Sequence, residues 1–284
     1  MNIENWKNRG HFFTYKNNDI FFVDEGQGDV IVCIHGFPTS SWDWNLLWEE
    51  LTTHYRVIAI DMIGFGYSDK PKNYEYSIAD QANLHEELLV NLDIKAAHVL
   101  AHDYGDTVAQ ELLARGKFLH FSLQSVCLLN GGLFAETHRP RRIQSLLAGN
   151  WGFIIKEFLS FTTFKRSFVK IFGAETQPTD KELRDFWRLI EYKNGHKIAH
   201  KLIRYMKERK IHRDRWVQAL INAKFPLKLI NGAADPVSGA HMVKRYEELV
   251  THENIALLQG IGHYPQLENP ERVLDEFLSF IQNT

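Results

Sequence analysis

Hydrophobic and polar positions along the chain alternate between two rhythms. Short, β-branched apolar runs at 11–15, 20–23, 30–34, 56–61, 98–101, 123–129, 227–230 and 255–258 predict strands. Near-continuous runs such as Val30-Ile31-Val32-Cys33-Ile34 suit strands covered on both faces. Between them, apolar residues recur at helical spacing over 77–92, 106–114, 239–250 and 270–281. Pro270 falls at a first helical position, where its missing N–H is harmless. Strands alternating with helices predict an α/β fold, a mostly parallel sheet flanked by helices.

The alternation stops between residues 133 and 224, where amphipathic helical stretches follow one another without a convincing strand. We read 133–224 as a helical cap domain inserted into an α/β core formed by 1–132 and 225–284. A body of about 190 residues with an insert of about 90 suits the 284-residue length better than two serial domains.

At 44% hydrophobic and 24% charged, the composition excludes a disordered chain. A net charge of −2 removes the simplest argument for a nucleic-acid binder, which needs surplus cations to neutralise phosphates. That total hides an asymmetry: 133–224 hold 20 Lys and Arg against 9 Asp and Glu, the remainder 13 against 26. A basic insert on an acidic body reads as favourable docking, or as a face for an anionic substrate or membrane surface. The commoner outcome of such charge runs is solvated helix faces with weak ion pairs.

Cys33 and Cys127 lie in apolar runs and read as buried free thiols, the pattern of a reduced compartment. The first residues show no basic stretch leading into an apolar core. No run approaches the roughly 18 apolar residues of a membrane span, so the expectation is a cytoplasmic protein without an integral membrane segment.

Candidate chemistry concentrates in loops after predicted strands. The segment 98–113 reads as an apolar strand, a tight turn with Asp103 at its apex, and an immediate helix. Ala101 and Gly105, two positions to either side, supply the small residues that a sharp turn requires, the pattern of a nucleophile elbow with Asp in place of Ser. The turn Ile34-His35-Gly36-Phe37-Pro38 leaves another strand, and the backbone N–H groups of Phe37 and Tyr104 are the expected oxyanion donors.

Asp235 follows the strand at 227–230, and His263 sits in a Gly-rich loop between the last strand and the last helix. The order Asp103, Asp235, His263 is nucleophile, acid, base at three strand ends. Singly, each has a plain alternative, since an Asp at a helix start is commonly an N-cap and a Gly-His a satisfied loop histidine. Jointly they form a catalytic constellation.

These segments, together with Asp61-Met-Ile-Gly-Phe-Gly-Tyr-Ser-Asp-Lys-Pro71, resemble the α/β-hydrolase superfamily, in the branch of epoxide hydrolases and haloalkane dehalogenases. More narrowly, 102–113, 129–140 and 263–268 resemble the mesoderm-specific transcript group, a likeness that implies no particular substrate. The resemblance implies an epoxide hydrolase-like enzyme that needs no cofactor or metal and takes a small apolar electrophile and water. A carboxylate is already ionised near neutral pH and displaces a leaving group at saturated carbon. Water deprotonated by His263, itself oriented by Asp235, would then hydrolyse the Asp103 ester.

Haloalkane dehalogenases carry Trp after the nucleophile and often Asn after the His-Gly, where this chain has Tyr104 and Phe37. Epoxide hydrolases place two cap tyrosines on the epoxide oxygen. Tyr205, in Arg204-Tyr-Met-Lys-Glu-Arg209, resembles the second, and Tyr192 is the candidate for the first. Either tyrosine also fits a packing role on an amphipathic helix. A dehalogenase-type hydrolase and a non-catalytic binding protein with a retained pocket remain alternatives. His102 is expected to be a buried, hydrogen-bonded histidine and Asp106 to meet the helix dipole. Asn130 stands where some dehalogenases carry their acid, which leaves Asp235 for that role.

Overall fold

The computed structural model describes residues 1–250 and 254–283. Eight strands, β1 His11–Tyr15, β2 Asn18–Glu25, β3 Val30–Ile34, β4 Arg56–Ile60, β5 Ala96–His102, β6 Ser122–Leu129, β7 Leu227–Gly232 and β8 Ile255–Leu258, form one sheet. Their order is β1-β2-β4-β3-β5-β6-β7-β8. β2 pairs antiparallel with β1 and β4, and every pairing from β4 to β8 is parallel. All eight predicted strands are present, and the predicted helices appear as Ile78–Asn91, Tyr104–Arg115, Ala240–Leu249 and Pro270–Gln282. The sequence pattern missed two seven-residue helices, Ile3–Arg9 and Trp48–His54.

The alternation of side chains along a strand divides the core in two. On β3, Ile31 and Cys33 join one apolar cluster and Val32 and Ile34 the other, so the strand is covered on both faces. Each such fully buried aliphatic side chain contributes roughly 1.5–3 kcal/mol. Helix starts are set by local chemistry: Ser77 Oγ accepts the Asp80 N–H at 3.2 Å, and Asn269 caps the helix that Pro270 opens. Cys33 and Cys127 are buried free thiols. Among the described residues, no helix is long and apolar enough to cross a membrane.

Between β6 and β7 the described residues form only short helices and 3-10 turns, from Arg142–Ala148 through Arg213–Ile221. Their apolar side chains split between the two clusters. Tyr205, Trp216 and Leu220 pack with one, and Phe164, Phe168 and Phe186 with the other. Polar ties bind this insert to loops beyond the strand ends. Ile171 O accepts the His263 N–H at 2.8 Å, and Lys193 Nζ donates to Asp69 at 2.6 Å. Glu111, on the body, receives Arg215 Nε and Trp216 Nε1, each at 2.9 Å. The opposed charges of insert and body therefore meet at a few specific pairs.

Candidate active site

β5 ends at His102 and the next helix begins at Tyr104, so Asp103 makes the turn alone, with φ 47° and ψ −101°. Such a sparsely populated conformation costs about 1–3 kcal/mol and persists only where neighbours fix it. A Cβ on Gly105 would stand 2.2 Å from the Ile34 carbonyl oxygen, so the helix approaches β3 this closely only with glycine there. A Cβ on Gly36 would stand 2.6 Å from His102 Nδ1. Gly105, read from the sequence as a small residue of the turn, is therefore a steric requirement, and Gly36 is a second.

The Phe37 N–H donates to Asp103 Oδ2 at 3.1 Å. Tyr104 opens the helix, in the first turn where backbone N–H groups lack intrahelical partners. His35 holds the Phe37 loop, donating from Nδ1 to Gly36 O at 2.9 Å and accepting the Met62 N–H at Nε2, 3.1 Å. Burial pushes its pKa down to about 4, which keeps the ring neutral as both bonds require.

His263 Nδ1 donates to Asp235 Oδ2 at 2.7 Å, and its Nε2 lies 4.0 Å from Asp103 Oδ2, an electrostatic neighbour rather than a hydrogen-bond donor. Asp235 Oδ2 also accepts from Asn130 Nδ2 at 2.9 Å and Ser238 Oγ at 3.0 Å, while Oδ1 accepts the Val237 N–H at 2.7 Å. Burial would raise this carboxyl, but His263 and the other donors hold it below its ordinary value. Burial likewise disfavours the His263 cation, yet Asp235 and Asp103 outweigh it and push the imidazole up to about 10. For Asp103, His263 and Arg209 outweigh burial and hold the carboxyl well below the usual carboxylate range.

Tyr205 is buried, with its ring 4.8 Å from that of Tyr104 and 6.0 Å from that of Phe37. Its hydroxyl has no hydrogen-bond partner among the described residues. Tyr192 is not brought to this place. Its ring meets Tyr67 edge-on at 5.2 Å, with the Lys7 and Lys70 ammonium groups near its face. Left-handed backbone at Lys193 and Asn194 ends the preceding helix and leaves Tyr192 beside the 61–70 loop. His102 is buried as expected and donates from Nε2 to His263 O at 2.8 Å. Asp106 lies in the first helical turn as expected, but it is fully buried, accepting the Leu129 N–H at 3.3 Å, and burial raises its carboxyl well above the ordinary value.

Sequence reasoning singled out Asn130 without finding its role and missed Arg209 altogether. Asn130, at φ 47°, joins two strand ends by binding Asp235 and accepting the Gly232 N–H at 2.7 Å. Its position directly after a strand was the only available signal. Arg209 was one cation among the 20 basic residues of the insert. It reaches the elbow, with Nη2 donating to Asp103 O at 2.9 Å and standing 3.7 Å from Asp103 Oδ1. Among the described residues, no group of three His, Cys, Asp or Glu side chains is arranged to hold a metal ion.

A strand-end carboxylate on a strained turn, a backbone donor on its oxygen and a His–Asp pair across the sheet edge define a known class. Residues 29–270 match the α/β hydrolase fold family, and the chain belongs to it. The chain is 41% identical to the mesoderm-specific transcript protein of Mus musculus, over 99% of this chain and 88% of the mouse protein. It is 34% identical to the putative hydrolase LipZ of Mycobacterium tuberculosis, over 98% of both chains. Among solved structures, the epoxide hydrolase CorEH superposes with a TM-score of 0.80 at 18% identity, covering 96% of this chain and 98% of that one, a likeness of fold.

Proposed function

We propose that this protein is a cofactor-independent hydrolase that opens epoxides through a covalent ester of Asp103. Oδ2 is engaged by the Phe37 N–H, so Oδ1 is the oxygen that attacks a ring carbon. The C–O bond breaks, its electron pair stays on the ring oxygen, and that oxygen takes a proton from the Tyr205 hydroxyl. Water deprotonated by His263 then attacks the ester carbonyl carbon of Asp103. The N–H groups of Phe37 and Tyr104 receive the oxyanion, the bond from the carbonyl carbon to the diol oxygen breaks, that oxygen takes the second proton of the attacking water, and the carboxylate is restored.

Electrostatics give the two halves different requirements. While Asp103 is ionised, two carboxylates hold a proton on His263, which cannot then act as a base. Esterification removes the Asp103 charge and so favours loss of the imidazole proton, which re-protonates the Tyr205 phenolate left by ring opening and leaves His263 neutral, a competent base for the second half. In this reading 133–224 form a cap domain over the core of 1–132 and 225–284, and the cap supplies Tyr205. No role falls to Tyr192.

The observation that carries the reading is Asp103 with the Phe37 N–H on one oxygen and the Asp235-held His263 4.0 Å away, beside a Tyr205 whose ring packs on Tyr104 and Phe37 and whose hydroxyl has no partner among the described residues. A buried hydroxyl free to give a proton favours a leaving oxygen over a leaving halide. The test is a single turnover with enzyme in excess, a small epoxide such as styrene oxide, and ¹⁸O-water. The expected label is on the Asp103 carboxylate, with the first-turnover diol unlabelled. Label appearing in that diol would mean direct attack by water and would remove Asp103 as nucleophile.

A further inference from the structure

Arg209 brings to this site a permanent cation that the reaction above does not use. It is 3% exposed, in contrast to the solvated lysines and arginines around it on the insert. Its Nε donates to Thr107 Oγ1 at 2.7 Å and Nη2 to the Asp103 carbonyl oxygen, while Nη1 has no hydrogen-bond partner among the described residues. The guanidinium also lies 4.6 Å from the centroid of the Tyr205 ring.

Beside it is His138, half-buried, with both ring nitrogens shut off from solvent and neither hydrogen-bonded among the described residues. The two share Gly132, where a Cβ would stand 2.3 Å from Arg209 Nη1 and 2.9 Å from His138 Nδ1. Glycine at that position lets a buried guanidinium nitrogen and a half-buried imidazole come together with donors to spare.

We propose that Arg209 Nη1 and His138 form the receptor for a carboxylate carried by the substrate, which makes the preferred substrate an epoxide bearing a carboxylate rather than a wholly apolar one. This rests on the reading of Asp103 as nucleophile. The guanidinium fork matches the planar, two-oxygen shape of a carboxylate. Burial keeps His138 neutral, so the pair offers one positive charge, which matches a monoanion rather than a doubly charged phosphate.

Position adds a second argument. Arg209 stands 3.7 Å from Asp103 Oδ1, the oxygen assigned to attack, and an adjacent cation draws electron density from a nucleophile. A substrate carboxylate on Nη1 offsets that field. In turn the guanidinium, lying between two anions, prevents Asp103 from repelling such a substrate. A neutral substrate would gain neither effect.

The test uses unreactive probes, so it does not depend on turnover. Binding of hexanoate and of hexanamide is measured by calorimetry on the full chain. Wild type is expected to bind hexanoate about 10- to 100-fold more tightly than hexanamide, the range of a hydrogen bond to a charged group. Arg209→Met should abolish the preference and Arg209→Lys retain part of it.

His138→Phe, which leaves Arg209 in place, should reduce the preference severalfold and serves as the reading if Arg209→Met does not fold. Equal affinity for the two probes in wild type, or a full preference surviving in Arg209→Met or in His138→Phe, overturns the proposal. Isotope labelling with a neutral epoxide tests the nucleophile separately. A hexanoate preference without an Asp103 ester would sink the proposed reaction while leaving the anion receptor standing.

Discussion

The body and the insert contribute to one site in different ways. Asp103, Asp235 and His263 are held by the body, each in a loop at the end of a strand: Asp103 by the Phe37 N–H, Asp235 by the Val237 N–H, and His263 by Asp235 on its ring and by His102 Nε2 on its carbonyl oxygen. Tyr205 and Arg209 hang from a single seven-residue helix of the insert and touch the site through side chains. A sheet edge fixes atoms to a fraction of an ångström, whereas a short helix can be re-aimed by a change in its flanking turns. On this account the body carries the reaction and the insert selects what reacts. Substitutions in the body should slow every substrate, and those in the insert should change the ratios between substrates.

The largest effect is expected from Asp235→Asn, which removes the anion on His263 Nδ1. Turnover should fall by about 10³–10⁴ for every epoxide alike, because the loss falls on ester hydrolysis, and rapid-quench analysis should find ester accumulating. Equal slowing of ester formation and breakdown would break the comparison. The two steps should also differ in pH dependence in wild type. Formation should stay flat through neutral pH, since the Asp103 carboxyl is held well below the usual carboxylate range. Breakdown needs neutral His263 and should rise with pH.

Tyr205→Phe should cost about 10²–10³ in kcat on epoxides, but little on a primary alkyl iodide, whose leaving group takes no proton. A uniform loss would make Tyr205 a packing residue. Smaller again is the seam. Glu111 is buried beneath Arg115, Arg215 and Trp216, and burial opposed by those donors leaves its carboxyl below the ordinary value. Glu111→Gln should lower stability by about 1–3 kcal/mol in thermal denaturation, and kcat should hold.

The smallest effect belongs to Asp106. A buried acid whose pKa is raised on folding costs stability above its unfolded pKa of roughly 4. Asp106→Asn should therefore raise Tm at pH 8, by about 2–4 °C for each kcal/mol recovered, and leave it nearly unchanged at pH 4. A lowered Tm at both pH values would show that the carboxyl contributes a bond that an amide cannot replace.

What could be read from the chain follows the same division. Strand positions have a period of two, and a sharp turn requires small residues, so the eight strands, Asp103 with Gly105, and the loops of Asp235 and His263 were legible. A helix carries its residues around all sides, and the insert is broken repeatedly by 3-10 turns and by left-handed residues at Lys193 and Asn194. Where each break falls decides which side chain turns inward. That is why Tyr192 faces Tyr67 and why Arg209, in the sequence one cation among many, lies against Asp103. Asn130 was placed correctly along the chain, but its bond to Asp235 depends on neighbouring strand ends meeting in space.

The most direct measurement is intact-protein and peptide mass spectrometry of the His263→Gln variant after exposure to an epoxide that the wild type hydrolyses. With the base removed, the ester should accumulate to near one equivalent, and the added mass should map to the peptide that contains Asp103. An active wild type whose His263→Gln variant gains no mass, or gains it at another residue, would contradict the assignment of Asp103 as nucleophile.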